Sequence, residues 1–229
     1  MIVRDSPSGL AFVTQRQNPE LVRVRASLEG GAIVLRGPSG GAPLRLPPVP
    51  DGPRETVTVW ESTIPAVIWR EGDAWLARET GLDAHLAFMP ADVTRAVTSS
   101  AGHPGDVVSF ADAFPYLLTT DASLEDLNAR LPEPITMERF RPNVVVAGAQ
   151  PWQEDDWRSV RVDGVVFDVR KPCARCAVPT VDLETGVKGL EPSRTLATFR
   201  TRDGKVLFGV NVVARTEGEL HVGDEVTVP

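Results

Sequence analysis

Through the first hundred residues, apolar and polar positions alternate in short runs, which predicts strands rather than helices. Leu21-Val22-Arg23-Val24-Arg25-Ala26 alternates apolar and charged side chains and predicts a half-buried strand. A Gly30-Gly31 turn leads into a second strand over Ala32-Ile33-Val34-Leu35. Gly37-Pro38-Ser39-Gly40-Gly41 has turn chemistry, and Thr56-Val57-Thr58-Val59-Trp60 is β-branched and alternating. Short strands punctuated by Gly and Pro point to an antiparallel barrel or sandwich. One segment breaks the pattern. Trp75-Leu76, then Arg78-Glu79-Thr80 before Gly81, reads as a short helix closed by a glycine.

The rest of the chain mixes the two periods. Residues 99–106, Ser-Ser-Ala-Gly-His-Pro-Gly-Asp, are loop by composition and give the expected domain boundary, 1–98 and 99–229. Leu124, Leu127 and Leu131 fall on one helical face, with Ser123 as the expected cap and Pro132 as the stop. Val144-Val145-Val146 predicts a buried strand. Val160-Arg161-Val162 and Val165-Val166-Phe167-Asp168-Val169 flank Asp163-Gly164, a hairpin signal. His221 to Val228 predicts strand, turn and strand. The expected fold is mainly β (α+β), with a few short helices.

Composition narrows the function. The 229 residues suit one or two domains, and 42% hydrophobic content excludes a wholly disordered chain. No run of 18 apolar residues predicts a membrane-spanning helix. Arg4 and Asp5 stand where a signal peptide would be apolar, so a cytoplasmic protein is expected. A net charge of −7 without a basic block argues against nucleic acid as the main partner. Of 24 basic residues only Lys171, Lys188 and Lys205 are lysine, a bias read as GC-rich coding. The five tryptophans are expected as core or domain-interface anchors, and His103 as a surface turn residue.

Candidate chemistry begins with Cys173-Ala174-Arg175-Cys176. Zinc would need two more ligands, and His85, His103 and His221 show no ligand spacing. A thioredoxin-like dithiol opens a helix after a first strand, whereas this pair follows a hairpin late in the chain. Two alternatives remain open. The thiols are either small hydrophobes, or one is a nucleophile or soft metal ligand favoured as thiolate by Lys171 and Arg175. Pro142 predicts an extended Arg141, suited to an anion or to an ion pair with Glu154, Asp155 or Asp156.

Taken in order, Arg141-Pro142-Asn143, the acidic cluster ending at Trp157, Cys173-x-x-Cys176, Thr180-Val181-Asp182 with Thr185-Gly186, and Leu207-Phe208-Gly209 resemble the MOSC domain. The nearer likeness is to the mitochondrial amidoxime-reducing component and its bacterial relatives. Thr14-Gln15-Arg16-Gln17, Pro19-Glu20-Leu21, Val59-Trp60 and Trp75-Leu76 resemble the N-terminal domain of that group. The resemblance implies an N-terminal β-barrel-like domain packed on a MOSC β-barrel, with the family's Lys-Ser first strand missing before Met1 through a late-assigned start.

It also implies a molybdenum cofactor on a pterin dithiolene with a terminal phosphate. Cys176 would be the metal ligand and catalytic residue. Arg141, Asn143, Asp112, Ala113, Phe114, Ala174, Arg175 and Asn211 would bind the cofactor. The implied activity is reduction of small N-hydroxylated substrates by oxygen-atom transfer. Electrons would come from a separate ferredoxin, flavodoxin or flavin reductase. A cofactor- or sulfur-carrier module without turnover, and a Cys173–Cys176 redox pair, are the competing readings. Phe114, Ala174 and Pro179 depart from small polar residues, serine and threonine in relatives. Each removes a hydrogen bond worth roughly 1–3 kcal/mol if its partner stays buried and unpaired.

Overall fold

Alternation in the first ninety residues builds eight strands in the computed structural model, which describes residues 1–229. They are β1 (Ile2–Ser6), β2 (Gly9–Phe12), β3 (Arg25–Glu29), β4 (Ala32–Arg36), β5 (Leu44–Leu46), β6 (Arg54–Val59), β7 (Ser62–Trp69) and β8 (His85–Phe88). A closed barrel runs β1-β2-β6-β7-β8, and β3-β4-β5 form a separate three-stranded sheet. Helix α1 (Asp73–Thr80) buries Trp75 and Leu76 and ends at Gly81, whose φ of 69° supplies the left-handed cap.

The alternating run Leu21–Ala26 is not one strand. Pro19–Arg23 forms a 3-10 turn that buries both Leu21 and Val22, and β3 starts only at Arg25. Pro19 accounts for this, because its fixed φ and missing N–H suit the first position of a helical turn. Trp69 and Trp75 are core residues, whereas Trp60 sits 44% exposed at the β6–β7 turn.

Seven further strands follow: β9 (Tyr116–Thr120), β10 (Val144–Val146), β11 (Ser159–Val162), β12 (Val165–Ala174), β13 (Thr201–Arg202), β14 (Lys205–Ala214) and β15 (Val226–Thr227). They make one sheet in the order β10-β9-β14-β12-β11-β15, with β13 beside β14. The Asp163-Gly164 hairpin forms as expected, pairing Val162 with Val165. Strand β10 is a sheet edge that leaves Val145 49% exposed, so it is not the buried strand its three valines suggest. At the C-terminal end only β15 pairs; His221–Asp224 closes a turn without a first strand. The fold is mainly β, with three short α-helices counting α2 (Asp121–Asn128) and α3 (Ser193–Ala197).

The chain divides into two compact units, Met1–Arg95 with Val181–Lys188, and Ala96–Thr180 with Gly189–Pro229. No helix is long and apolar enough to cross a membrane.

Helix α2 is capped by Thr120 rather than Ser123. Thr120 Oγ1 accepts the Ser123 N–H at 3.1 Å, because the chain turns helical three residues earlier than the leucine spacing shows. Ser123 is buried instead, and its hydroxyl and that of Thr120 donate to the buried Glu154 at 2.8 and 3.1 Å. Glu154 Oε1 has no partner. Burial outweighs these hydrogen bonds and raises the Glu154 pKa above its ordinary value. A carboxyl raised on folding contributes stability that is complete below its unfolded pKa and lost as pH rises through the folded one. Unfolding free energy is therefore expected to fall over that window, and Glu154→Gln to flatten the slope. Urea titrations at a series of pH values measure it; an unchanged slope would assign the effect to another group.

Candidate functional site

Three neighbouring strands assemble the chemistry-bearing residues of the second unit. Asn211 on β14 lies in register between Lys171 on β12 and Leu117 on β9. Residues paired across antiparallel strands share a sheet face. Val210 and Val212, which flank Asn211, are fully buried in the core on the opposite face. Lys171, Asn211 and Leu117 thus form a row on the other side. Asn143 extends that row: its N–H donates to the Leu117 carbonyl and its Oδ1 accepts the Leu117 N–H, both at 2.9 Å.

Strand β12 is irregular where its chemistry lies. Its register shifts between Val169 and Lys171 and again between Pro172 and Ala174. Pro172 cannot donate to the ladder, and such bulges re-aim the side chains around them. Cys173 lies at the end of this strand; Cys176 lies beyond it, just before a 3-10 turn at Val178–Thr180.

Both thiols are free and partly buried, but they are not equivalent. Cys173 Sγ accepts from Arg175 Nη1 at 3.2 Å. Arg175 Nη2 donates to the Phe140 carbonyl at 2.9 Å, and its guanidinium lies 5.4 Å from the Phe140 ring centroid. Phe140 stacks on Phe208 at 3.7 Å in a fully buried cluster with Leu127 and Leu196. Arg175 is thereby fixed to a rigid base, while its buried Nε has no partner. Cys176 Sγ engages no hydrogen bond. The two-thiols-as-hydrophobes alternative therefore does not describe Cys173, which is held by a cation.

Arg141 is exposed and takes φ 57° and ψ 48°, so the extended conformation expected from Pro142 is not the one adopted. The residue before proline is kept out of the right-handed region, and here it turns left-handed to close the 3-10 turn Met137–Phe140. Glu154 and Asp155 are engaged elsewhere, Asp155 by Arg200 at 2.8 Å. Asp112 (exposed), Ala113 (half-buried) and Phe114 (buried) lie in the bend that leads into β9. Ala174 is exposed at the strand end. Asp182 caps its own turn, accepting from the N–H groups of Glu184 and Thr185 at 3.1 and 2.9 Å.

Two features of this region are missing from the sequence expectations. Lys171 Nζ donates to Ser99 Oγ at 3.0 Å and lies 5.3 Å from the Phe114 ring centroid. The loop 99–106 is also more than a linker. Its Asp106 carboxylate is fully buried, accepts the His103 N–H at 2.9 Å, and pairs with Arg215 at 2.6 Å and Arg170 at 3.6 Å. Burial would raise the Asp106 pKa, but His103, Arg215 and Arg170 together hold it below its ordinary value. The available signal for Lys171 was its rarity as a lysine two residues before the cysteine motif. For Asp106 there is none, because its two arginine partners are 64 or more residues away along the chain.

No group of three or more His, Cys, Asp or Glu side chains converges as a metal cage. A metal held by Cys176 would thus have to bring its other ligands with it.

Comparison with known proteins identifies the family of the chain. The MOSC domain model matches residues 105–227. Mitochondrial amidoxime-reducing component 1 of Xenopus laevis is 31% identical over 233 residues, covering 94% of this chain and 68% of that protein. The Danio rerio protein of the same name is 35% identical over 229 residues, covering 94% and 70%. The Homo sapiens one is 37% identical over 132 residues, covering 54% and 39%. On the matched domain and on likeness extending through most of its length, this chain belongs to the MOSC domain family.

Proposed function

We propose that the chain is a cytoplasmic molybdenum-dependent oxidoreductase that reduces N-hydroxylated compounds such as amidoximes, hydroxylamines and N-hydroxylated bases. In this reading residues 1–98 are the N-terminal β-barrel domain and 99–229 the MOSC domain. The observation that carries it is the inequality of the cysteines. Cys173 is occupied by Arg175, and Cys176 is a partly buried thiol without a partner at the mouth of a cationic loop. The relatives' name, amidoxime-reducing component, supports the substrate class.

The residues present fit a pterin-bound molybdenum. Cys176 would supply a soft thiolate, and the unpartnered Arg175 Nε faces the need of an anionic group. Arg141, Asn143, Asp112, Ala113, Phe114, Ala174 and Asn211 would complete the binding surface. When bound, the cofactor supplies two-electron reduction by oxygen-atom transfer. The chain supplies the rest. Lys171 and Arg175 offset negative charge, the Phe114 ring excludes water, and the Phe140–Phe208 stack keeps Arg175 in place. Overall, an N–OH group, two electrons and two protons give N–H and water. The electrons would come from a separate ferredoxin, flavodoxin or flavin reductase.

Protein from a molybdate-replete host is expected to carry molybdenum and pterin and to reduce benzamidoxime with an artificial electron donor. Metal analysis, pterin fluorescence and product chromatography measure these. Protein from such a host without molybdenum would sink the reading.

A further inference from the structure

We infer that Lys171 and Asn211 form an oxyanion-binding pair, a phosphate or carboxylate subsite of the proposed cofactor and substrate site. The inference rests on the function proposed above for its setting, but not for its chemistry. Lys171 is half-buried on β12, and its ammonium has no carboxylate within ion-pair distance. Its contacts are the Ser99 hydroxyl at 3.0 Å and the face of Phe114 at 5.3 Å. An ammonium has three donors, and Ser99 uses one. The remaining N–H groups are drawn partly out of water with no counter-charge, a costly arrangement that an anion relieves.

Asn211 is the cross-strand partner of Lys171 on the same face. It too is partly buried, and its side-chain amide makes no hydrogen bond within the chain. A charge donor and an amide donor therefore rise from paired positions on one sheet face with unused N–H groups, which suits the oxygens of a carboxylate or phosphate. The pair is rigidly held. Asp106, with Arg170 and Arg215, pins the loop that carries Ser99, and the bulge between Val169 and Lys171 sets where Lys171 emerges.

Three lysines in the whole chain make the test direct. Labelling with lysine ¹³C-enriched at Cε leaves the ammonium unmodified and gives separate NMR signals for Lys171, Lys188 and Lys205. The probe is inorganic phosphate, titrated into the full chain from a host that makes no pterin. Lys171 is expected to shift saturably while Lys188 and Lys205 do not, and Asn211→Leu is expected to weaken the response about tenfold. A Lys171 signal that moves no more than the other two would overturn the inference, even if the enzyme reduces amidoximes. A saturable Lys171 response in a protein without reductase activity would sustain it while sinking the proposed function.

The source of the anion is read in the loaded protein. Loss of the phosphate response on loading, with lower molybdenum content in Lys171→Met, assigns the oxyanion to the cofactor. A response that persists and is displaced by 4-carboxybenzamidoxime assigns it to the substrate. In that case Lys171→Met lowers kcat/KM for the carboxylated amidoxime at least tenfold relative to benzamidoxime, and Lys171→Arg restores most of it.

Discussion

Cys176→Ser is expected to reduce amidoxime reduction to background and to strip most of the molybdenum, whereas Cys173→Ser keeps both. The asymmetry follows from the thiols' surroundings. Cys173 already accepts a hydrogen bond from Arg175, and a serine oxygen can accept the same bond. Cys176 has no such role in the fold, so its replacement leaves the framework intact while removing the soft donor. Hard alcohol oxygen is a poor substitute for thiolate toward a soft metal centre. Circular dichroism should show both variants folded, and metal analysis with the benzamidoxime assay should separate them. Equal loss in both would favour a Cys173–Cys176 redox pair over a single metal ligand.

Asp106→Asn is expected to destabilise the second unit by about 3 kcal/mol, the lower end of what removing one partner of a buried ion pair costs. Arg170 is nearly inaccessible and keeps Asp168 at 3.8 Å and the Ala101 carbonyl at 3.1 Å, while Arg215 keeps Asp168 at 2.6 Å. That surviving partner is why the lower end applies. The Asp106 pKa is depressed on folding, so its contribution is present above the unfolded value and lost as pH falls through the folded one. The variant should therefore lose most at neutral pH and converge with the parent in acid. Urea unfolding at pH 7 and in the acid range tests this. A loss below about 1 kcal/mol at pH 7 would mean that the two arginines are solvated well enough without Asp106.

These expectations show which parts of the molecule are readable from sequence. Hairpins with explicit turn chemistry, such as Asp163-Gly164, and the helix ending at Gly81 emerge correctly because their signals are local. Leu21–Ala26 misleads because alternation is also compatible with a 3-10 turn when a proline precedes it. Arg141 misleads because the rule about residues before proline excludes one conformation without choosing between the others. In the site, the cysteine motif is visible in sequence and the difference between its thiols is not. That difference depends on Arg175 reaching Phe140, 35 residues away along the chain. The Asp106 cluster and the Lys171–Asn211 pair are likewise products of register and burial.

The short excursion Val181–Lys188 has a consequence for dissecting the protein. It belongs by its contacts to the first unit although the second unit's chain encloses it on both sides. Val181 is completely buried and Gly186 backs onto Glu20, where any Cβ would come to 3.2 Å from the Glu20 Cα. No single cut can then yield two complete halves. A fragment ending near residue 95 lacks the buried Val181 of its own unit, and one beginning there carries a loop whose seat has been removed. The two units share one interleaved chain, so insertion, fusion and shuffling must treat them as one inheritance.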